Sequence, residues 1–524
     1  MERSDNDGIK LLKKGKRGLF RAIFSRTGLV LLFLVIQFLF LLSLFSWFAD
    51  LLPHAFGGTY IFSAVMILYL LNSRIDNSSK VTWLIVITVL PVFGALFYLF
   101  TKSDLGHRVL KERTQQLVLE TKEMIPQSEE SFSELEGENK GAASLVRYAA
   151  RSGCHPVYQN TEVMYYPLGE DVFEEMIVQL EKAERYIFLE FFIVDEGHMW
   201  GKILEILAKK ASEGVEVRMM YDGTCEFTLL PRNYPKKLHK LGIQCKVFSP
   251  AIPMVSTHYN YRDHRKIMVI DGKVGFTGGV NLADEYINRI EKHGHWKDVA
   301  VMLRGDAVDS LTLMFLQMWN IMEKTPQYSE YLSLGKASAP SGSGFVMPFG
   351  DRPLDDDRVG EQVYMDILNR ATSYVHIMTP YLIMDGELEN AIKYAAERGV
   401  EVSLILPGIA DKTMPYALAK GHYASLLDSG VKIYEYTPGF VHAKVMVSDD
   451  REAVVGTINM DYRSLYHHFE CGVWMYEGGV ITLIEADFRK TLEKCRRVEK
   501  ETIWNGKTYL KWIGILLKPI APLL

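Results

Sequence analysis

The sequence predicts an α/β fold in which two pseudo-symmetric domains meet around one active site, preceded by a membrane-spanning helical region. Three observations predict it. A string of chemically active residues occurs twice at identical internal spacing. The segments leading into each copy also repeat, in the same order. The first hundred residues are far more apolar than the rest of the 524-residue chain, which is long enough for two folded units and additions.

The apolar region opens after a basic tail, residues 1–27. Within 28–100 three segments stand out, 28–49, 55–72 and 81–100. A bilayer core needs about 20 apolar residues per helix, so the first and third qualify and the second does so marginally. The first run is too long for a cleaved leader and no small-x-small site follows it. Pro91 and Gly94 inside the third are expected to be tolerated in lipid. Lys10, Lys13, Lys14, Lys16, Arg17, Arg21 and Arg26 predict a cytoplasmic N-terminus. Three crossings would then put the body outside, yet Lys102, Arg108, Lys111 and Arg113 pull it inward. Two and three spans, and either face for the body, stay open at this stage.

An acidic stretch with Glu129, Glu130, Glu134, Glu136 and Glu138 makes 101–145 read as a linker. The body is an internal repeat. Ala183–Phe192 resembles Ala371–Tyr381, Gly214–Val217 recurs as Gly399–Val402, and Leu241–Pro250 matches Asp428–Pro438. Such strand–helix–strand alternation predicts a largely parallel sheet in each half. The Pro/Gly/Ser-rich 336–350 marks the seam, leaving 146–335 and 351–503 as the two domains. The tail 504–524, with Trp504, Tyr509, Trp512 and interspersed lysines, reads equally as an interfacial helix or as a helix packed on the body.

Each half then reaches the string His-x-Lys, four residues, Asp, six residues, Gly, two residues, Asn. The copies are His264, Lys266, Asp271, Gly278, Asn281 and His442, Lys444, Asp449, Gly456, Asn459. The runs are strand-like, and residues two apart on a strand face one side, so each His projects with its Lys. Asp271-Gly272 and Asp449-Asp450 read as turns into a second strand, and both aspartates belong to the catalytic string. These residue types suit attack on a phosphodiester. Lysines would neutralise non-bridging oxygens and Asn281 and Asn459 would donate to them, with small residues at Gly278, Gly279, Gly456 and Thr457 allowing close approach. One imidazole can attack phosphorus while the other moves protons, which suits neutral pH. The chemistry needs no metal and no cofactor. The five cysteines show neither disulfide nor zinc spacing. A net charge of −5 without a basic groove gives nucleic acid no electrostatic footing.

The paired strings resemble those of the phospholipase D superfamily, and nearly the whole chain is similar to bacterial cardiolipin synthases. Trp83, the Pro91, Gly94 and Tyr98 pattern, and the ending Pro522-Leu-Leu are similar to that family's termini. The resemblance implies two phospholipase D-like domains and a multi-pass protein of the bacterial plasma membrane. Its substrate would be phosphatidylglycerol among membrane lipids, two molecules giving cardiolipin and glycerol through phosphohistidine. It implies an acid that orients each imidazole, with Glu470 in the second half and Asp298 as its counterpart in the first. By resemblance His264 is the nucleophile and His442 the acid/base, since the near-symmetric residues themselves do not distinguish them. Two departures stand out. Thr457 replaces the usual Gly or Ser, and the 28–49 segment is absent from the simplest members. Hydrolysis by water, phosphatidylserine synthesis, and an inactive membrane-anchored scaffold are the alternatives, the last disfavoured because both strings are complete.

Overall fold

The computed structural model describes residues 2–4, 8–12, 35–36, 38–48, 50, 59–73, 75–102, 105–250, 261–332, 344–353, 355, 357–504 and 508–523. The basic tail beyond residue 12, the start of the 28–49 segment and most of the 336–350 seam lie outside them.

Two mixed sheets form the body. In the first half the strands are β1 (Thr161–Tyr166), β2 (Tyr186–Phe191), β3 (Glu216–Asp222), β4 (Gln244–Phe248), β5 (Lys266–Ile270), β6 (Val274–Gly278) and β7 (Ala300–Gly305). In the second they are β8 (Phe345–Asp351), β9 (Tyr374–Met378), β10 (Glu401–Pro407), β11 (Lys432–Tyr436), β12 (Val445–Ser448), β13 (Glu452–Gly456), β14 (His468–Tyr476) and β15 (Cys495–Arg497). The first sheet runs β1-β7-β6-β5-β2-β3-β4 and the second β8-β14-β13-β12-β9-β10-β11-β15, the same path with one edge strand added. The duplication seen in the sequence is therefore a duplication of topology.

The sheets are not largely parallel. Along these two strand paths, among the described residues, β2-β3-β4 and β9-β10-β11 pair in parallel and the remaining neighbours run antiparallel. The cause lies in the connections. Helices His198–Ser212 and Gly386–Glu397 cross over between parallel strands, whereas β5-β6 and β12-β13 are joined by tight turns that permit only antiparallel pairing. Both central residues of each turn have positive φ, 55° and 65° at Asp271-Gly272 and 55° at both Asp449 and Asp450. That is the twist a hairpin turn favours.

The sheets share one core. Val301 and Leu303 from β7, and Val299 just before it, lie in a single apolar cluster with Val445, Val447, Val455 and Val473 from the second sheet. Helix Val308–Trp319 is buried on nearly every side within it. Because β5 and β12 are covered on both faces, they read as continuous apolar runs rather than alternating ones.

Residues 101–145 are not a linker. They form helices Leu105–Thr121, Glu129–Glu138 and the start of Lys140–Gly153. Asn139 caps the last of these through Gly141 and Ala142 N–H. Leu135, Ala142 and Val146 turn into the core of the second half, while the acidic residues that suggested a linker face outward. Amphipathic helices of this kind hide behind their charged faces in composition.

Three short helices follow the first apolar segment: α1 (Thr59–Leu71), α2 (Asn77–Val89) and α3 (Pro91–Lys102). The expected continuous helix over 81–100 is broken at Leu90, which leaves the helical region at φ −128°, ψ 74°. Pro91 forces this, since proline restricts its predecessor and begins a helix readily. Gly94 then lets α3 fold against α2: a Cβ there would sit 2.7 Å from Val86 O. At 1.5 Å per residue each helix is about 20 Å long, short of the roughly 30 Å of a hydrocarbon core. Among the described residues no helix is long and apolar enough to cross a membrane. The C-terminal helix α4 (Thr508–Leu517) packs Gly514 close to Ala417 O, and Thr82 Oγ1 donates to Pro519 O at 2.7 Å. The C-terminal segment thus packs against α2 as well as the second half.

Candidate active site

Two short ladders cross between the halves and build the site. Arg262–Asp263, just before His264, pairs with His468–Phe469, just before Glu470. His295–Lys297, just before Asp298, pairs with Gly439–Val441, just before His442. His264 N–H donates to Phe469 O at 2.9 Å and His442 N–H to Lys297 O at 2.7 Å. Each histidine therefore lies beside the acid of the other half.

His264 Nδ1 is 2.9 Å from Glu470 Oε2, and His442 Nδ1 is 2.6 Å from Asp298 Oδ2. Each acid thus holds the histidine of the opposite half, an exchange that the order of the motifs along the chain does not show. Both acids are fully buried. Burial pushes the Asp298 and Glu470 carboxyls up, but the imidazoles and neighbouring donors outweigh it and hold both below the ordinary carboxylate range. Burial pushes both imidazoles down, His264 well below its usual value and His442 to about 4. An Nδ1–H given to a carboxylate leaves the Nε2 lone pair free.

Lys266 and Lys444 project with their histidines, as the strand period requires, and each Nζ donates to the backbone carbonyl of its own histidine. Lys444 Nζ also lies 2.9 Å from His442 Nδ1. Burial lowers Lys266 to about 8 and Lys444 to about 7. The halves feel one another: Lys266 acts electrostatically on His442 and Lys444, and Glu470 on Lys444. The two His–Lys pairs thus belong to one chamber.

Gly279 and Thr457 hold matching places with different consequences. A Cβ at Gly279 would lie 1.9 Å from Asp298 Oδ1, so only glycine makes room for that acid. Thr457 Oγ1 instead donates to Glu470, as does Ser464 Oγ. The Thr457 departure therefore supplies a hydrogen bond that fixes the longer acid. Gly278, at φ 155°, lies against Val299 and Ala300, where a Cβ would meet Val299 O at 2.4 Å.

The asparagines are less free than expected. Asn281 Oδ1 accepts from Ile193 N–H and its Nδ2 donates to Tyr286 OH, both at 2.9 Å. Asn459 has its backbone N–H tied to Ser464 Oγ while its buried Oδ1 has no partner. Asn281 is committed chiefly to holding Tyr286 and the β2 end.

Asp271 and Asp449 stand apart from the chamber. Each follows the far end of its strand, about 17 Å from the lysine at 3.3 Å per residue for β5. Asp271 accepts from Glu184, Arg185 and Tyr186 N–H, and Asp449 from Thr372, Ser373 and Tyr374 N–H. Their inclusion among catalytic residues is corrected: they bind the start of the neighbouring strand and set its register. Asp271→Ala is expected to cost about 3 kcal/mol of stability by leaving charge-assisted bonds unmade. Turnover per folded molecule should persist, which chemical unfolding and an activity assay on the same preparation would check.

Several neighbours were missed in the sequence. His468 lies next to His264, ring centroids 5.4 Å apart, and Phe192 packs on His264 at 4.8 Å. Tyr286 and Trp296 flank His442, each at 5.4 Å. His468 and Trp296 each precede the acid by two residues, so strand periodicity could have found them once the acids were chosen. His264, His468 and Glu470 offer ligand atoms within 4.8 Å of one another. The Glu470 oxygens are already taken by His264, Thr457 and Ser464, and Lys266 acts on the same carboxylate, so the group fits proton and phosphate handling better than a cation.

Comparison with known proteins agrees with this geometry. The family model described as cardiolipin synthase, PLD-like domain, matches residues 176–319 and 364–492, and one described as phospholipase D-nuclease N-terminal matches 60–102. An uncharacterized protein of Streptococcus mutans is 54% identical over 87% of this chain and 99% of its own length. A cardiolipin synthase of Alkalihalophilus pseudofirmus is 31% identical over 91% of this chain and 95% of its own. In fold, a phosphatidylserine synthase of Haemophilus influenzae superposes with a TM-score of 0.53 at 16% identity, covering 69% of this chain and 93% of that one. With its duplicated topology and two His–Lys pairs in one chamber, the chain belongs to the cardiolipin synthase family of the phospholipase D superfamily.

Proposed function

We propose that this enzyme transfers the phosphatidyl group of one phosphatidylglycerol to a second, releasing glycerol, at the membrane surface. The observation that carries the reading is the reciprocal pair His264–Glu470 and His442–Asp298 in one buried chamber with two lysines. His264 Nε2 attacks phosphorus, the phosphorus–oxygen bond to the glycerol headgroup breaks, and His442 gives that oxygen its proton. His442 then takes the proton of a hydroxyl on the second phosphatidylglycerol, whose oxygen attacks phosphorus and expels His264.

The electrostatics support this sequence. Two lysines face two carboxylates, and burial holds both imidazoles neutral. A neutral His264 is a competent nucleophile. The charge of an arriving phosphodiester restores a proton on His442 and on the lysines, because an opposite charge favours the protonated form. In the free enzyme His442 is neutral above about 4, so kcat/KM should fall as pH rises above that value and more steeply through about 7 to 8, where Lys444 and Lys266 lose their charge. No acid limb should appear near the ordinary histidine value, because His264 is neutral well below it. A kcat/KM profile on phosphatidylglycerol in mixed micelles checks both limbs. An acid limb centred near 6.5 would contradict the assignment.

The membrane reading rests on exposed apolar faces: Ile61, Val65, Leu68 and Tyr69 on α1, Val81, Ile85 and Val89 on α2, and Tyr509, Trp512 and Leu516 on α4. Glu196 accepts from Leu11 and Leu12 N–H and Ile9 is buried, which supports an N-terminus on the same face as the body. Helices α1, α2 and α3 that dip into one leaflet and return, each being too short to cross, satisfy that constraint. They also put every basic cluster on the cytoplasmic side. In this reading α4 lies along the same interface. Cysteine labelling at Lys80 and at Glu213 in sealed vesicles should show both on one face. Products in a reconstituted membrane separate the chemistry: cardiolipin and glycerol for transfer, phosphatidic acid for hydrolysis, and phosphatidylserine only with a nucleotide-linked donor and serine.

A further inference from the structure

We propose that His468 is a third phosphate-binding group, donating a ring N–H to a non-bridging oxygen of the phosphatidyl group while that group is carried on His264. The inference rests on His264 as the phosphate seat. His468 opens β14 two residues before Glu470, so both side chains face the chamber. It is 9% exposed, and neither ring nitrogen has a hydrogen-bond partner. Its Nδ1 makes only a long contact, 3.5 Å, to Glu470 Oε1 of a carboxylate already engaged by His264, Thr457 and Ser464, and its Nε2 faces no such group.

An imidazole always carries at least one N–H, and a buried donor without an acceptor is unfavourable. Such a group in a chamber built for an anion has an obvious acceptor. Packing also places it there. Phe192 packs edge-on to His264 and, at 6.4 Å, is tilted against His468, so the rings of His264 and His468 share one wall. Asp461 and Glu470 are the acidic groups that act on His468. In the other half Trp296 holds the matching place beside His442, its indole nitrogen likewise unbonded. The two positions preceding the acids thus both carry a ring nitrogen without a hydrogen-bond partner, and His468 is the one beside the attacking imidazole. Lys266 and Lys444 point back to their own histidine carbonyls, which leaves phosphate oxygens for further donors.

The test uses the full chain in mixed micelles of phosphatidylglycerol, with His468→Leu, His468→Asn and His468→Gln. Removing one donor to a developing charge typically lowers kcat by about 10²-fold, and that is expected for His468→Leu, with little change in KM. The amide variants, which keep an N–H, should recover most of the loss. In the His442→Ala background with a phosphatidyl nitrophenol, whose leaving group needs no proton, His468→Leu should also lower the amount of labelled adduct. Melting temperatures of all variants separate a folding defect from a chemical one. The proposal is overturned if His468→Leu stays within two-fold of the parent, or if both amide variants fall as far as leucine while melting normally. His264→Ala is the control for the underlying reading. If it still turns over or forms adduct, that reading fails; if it is inert while His468→Leu is unimpaired, only the present inference falls.

Discussion

Asp298→Asn and Glu470→Gln are each expected to lower transfer by about 10⁴-fold, the scale of loss when the acid that orients a catalytic imidazole becomes an amide. They should fail at different steps, and in the order set by exchange between halves. Glu470 holds His264, so Glu470→Gln leaves the nucleophile in the wrong tautomer and little labelled adduct should form. Asp298 holds His442, so Asp298→Asn impairs proton transfer, and any adduct formed should persist because the acceptor hydroxyl is not activated. If each acid served its own half the two outcomes would be interchanged. Quenched-flow trapping with phosphorus-labelled phosphatidylglycerol reads the difference directly. Both carboxylates are fully buried, so melting curves must accompany the kinetics.

The second large effect comes from the histidines themselves. His264→Ala and His442→Ala should each abolish transfer by more than about 10⁴-fold, and the double variant should be scarcely worse than either, because residues acting as a unit are not additive. His264→Ala should give no adduct. His442→Ala should give one with a substrate whose leaving group needs no proton, such as a phosphatidyl nitrophenol, and should then stall. Adduct in His264→Ala and none in His442→Ala would reverse the two roles while leaving the chamber intact.

Much of this was legible in the chain. Two strings in register, His264 to Asn281 and His442 to Asn459, identify a duplicated site because strand periodicity makes each His and Lys share a face. The repeat also foretold matching topologies. Local spacing could not show which acid meets which histidine: 206 residues separate His264 from Glu470 and 144 separate His442 from Asp298. Asp271 looked catalytic because it travels with the string, whereas its carboxylate serves backbone N–H groups one strand away. The helices within 101–145 were hidden by their acidic outer faces. Pro91 was read as tolerable in a continuous helix, yet with Gly94 it makes a hairpin, since Gly94 also permits the close contact with Val86.

By itself the sequence determined the reacting groups, their duplication and the apolar segments that bring the enzyme to lipid, because these are properties of residue type and short-range period. Tertiary structure alone decided the pairing of each imidazole with the opposite half's acid. It also seated His468 beside His264, and folded the third apolar segment back on itself. Those outcomes depend on two sheets sharing one core and on crossing ladders between distant strands. Burial there removes water from the chamber, and that loss of solvation, rather than the residues' identities, sets the charge on each histidine and lysine.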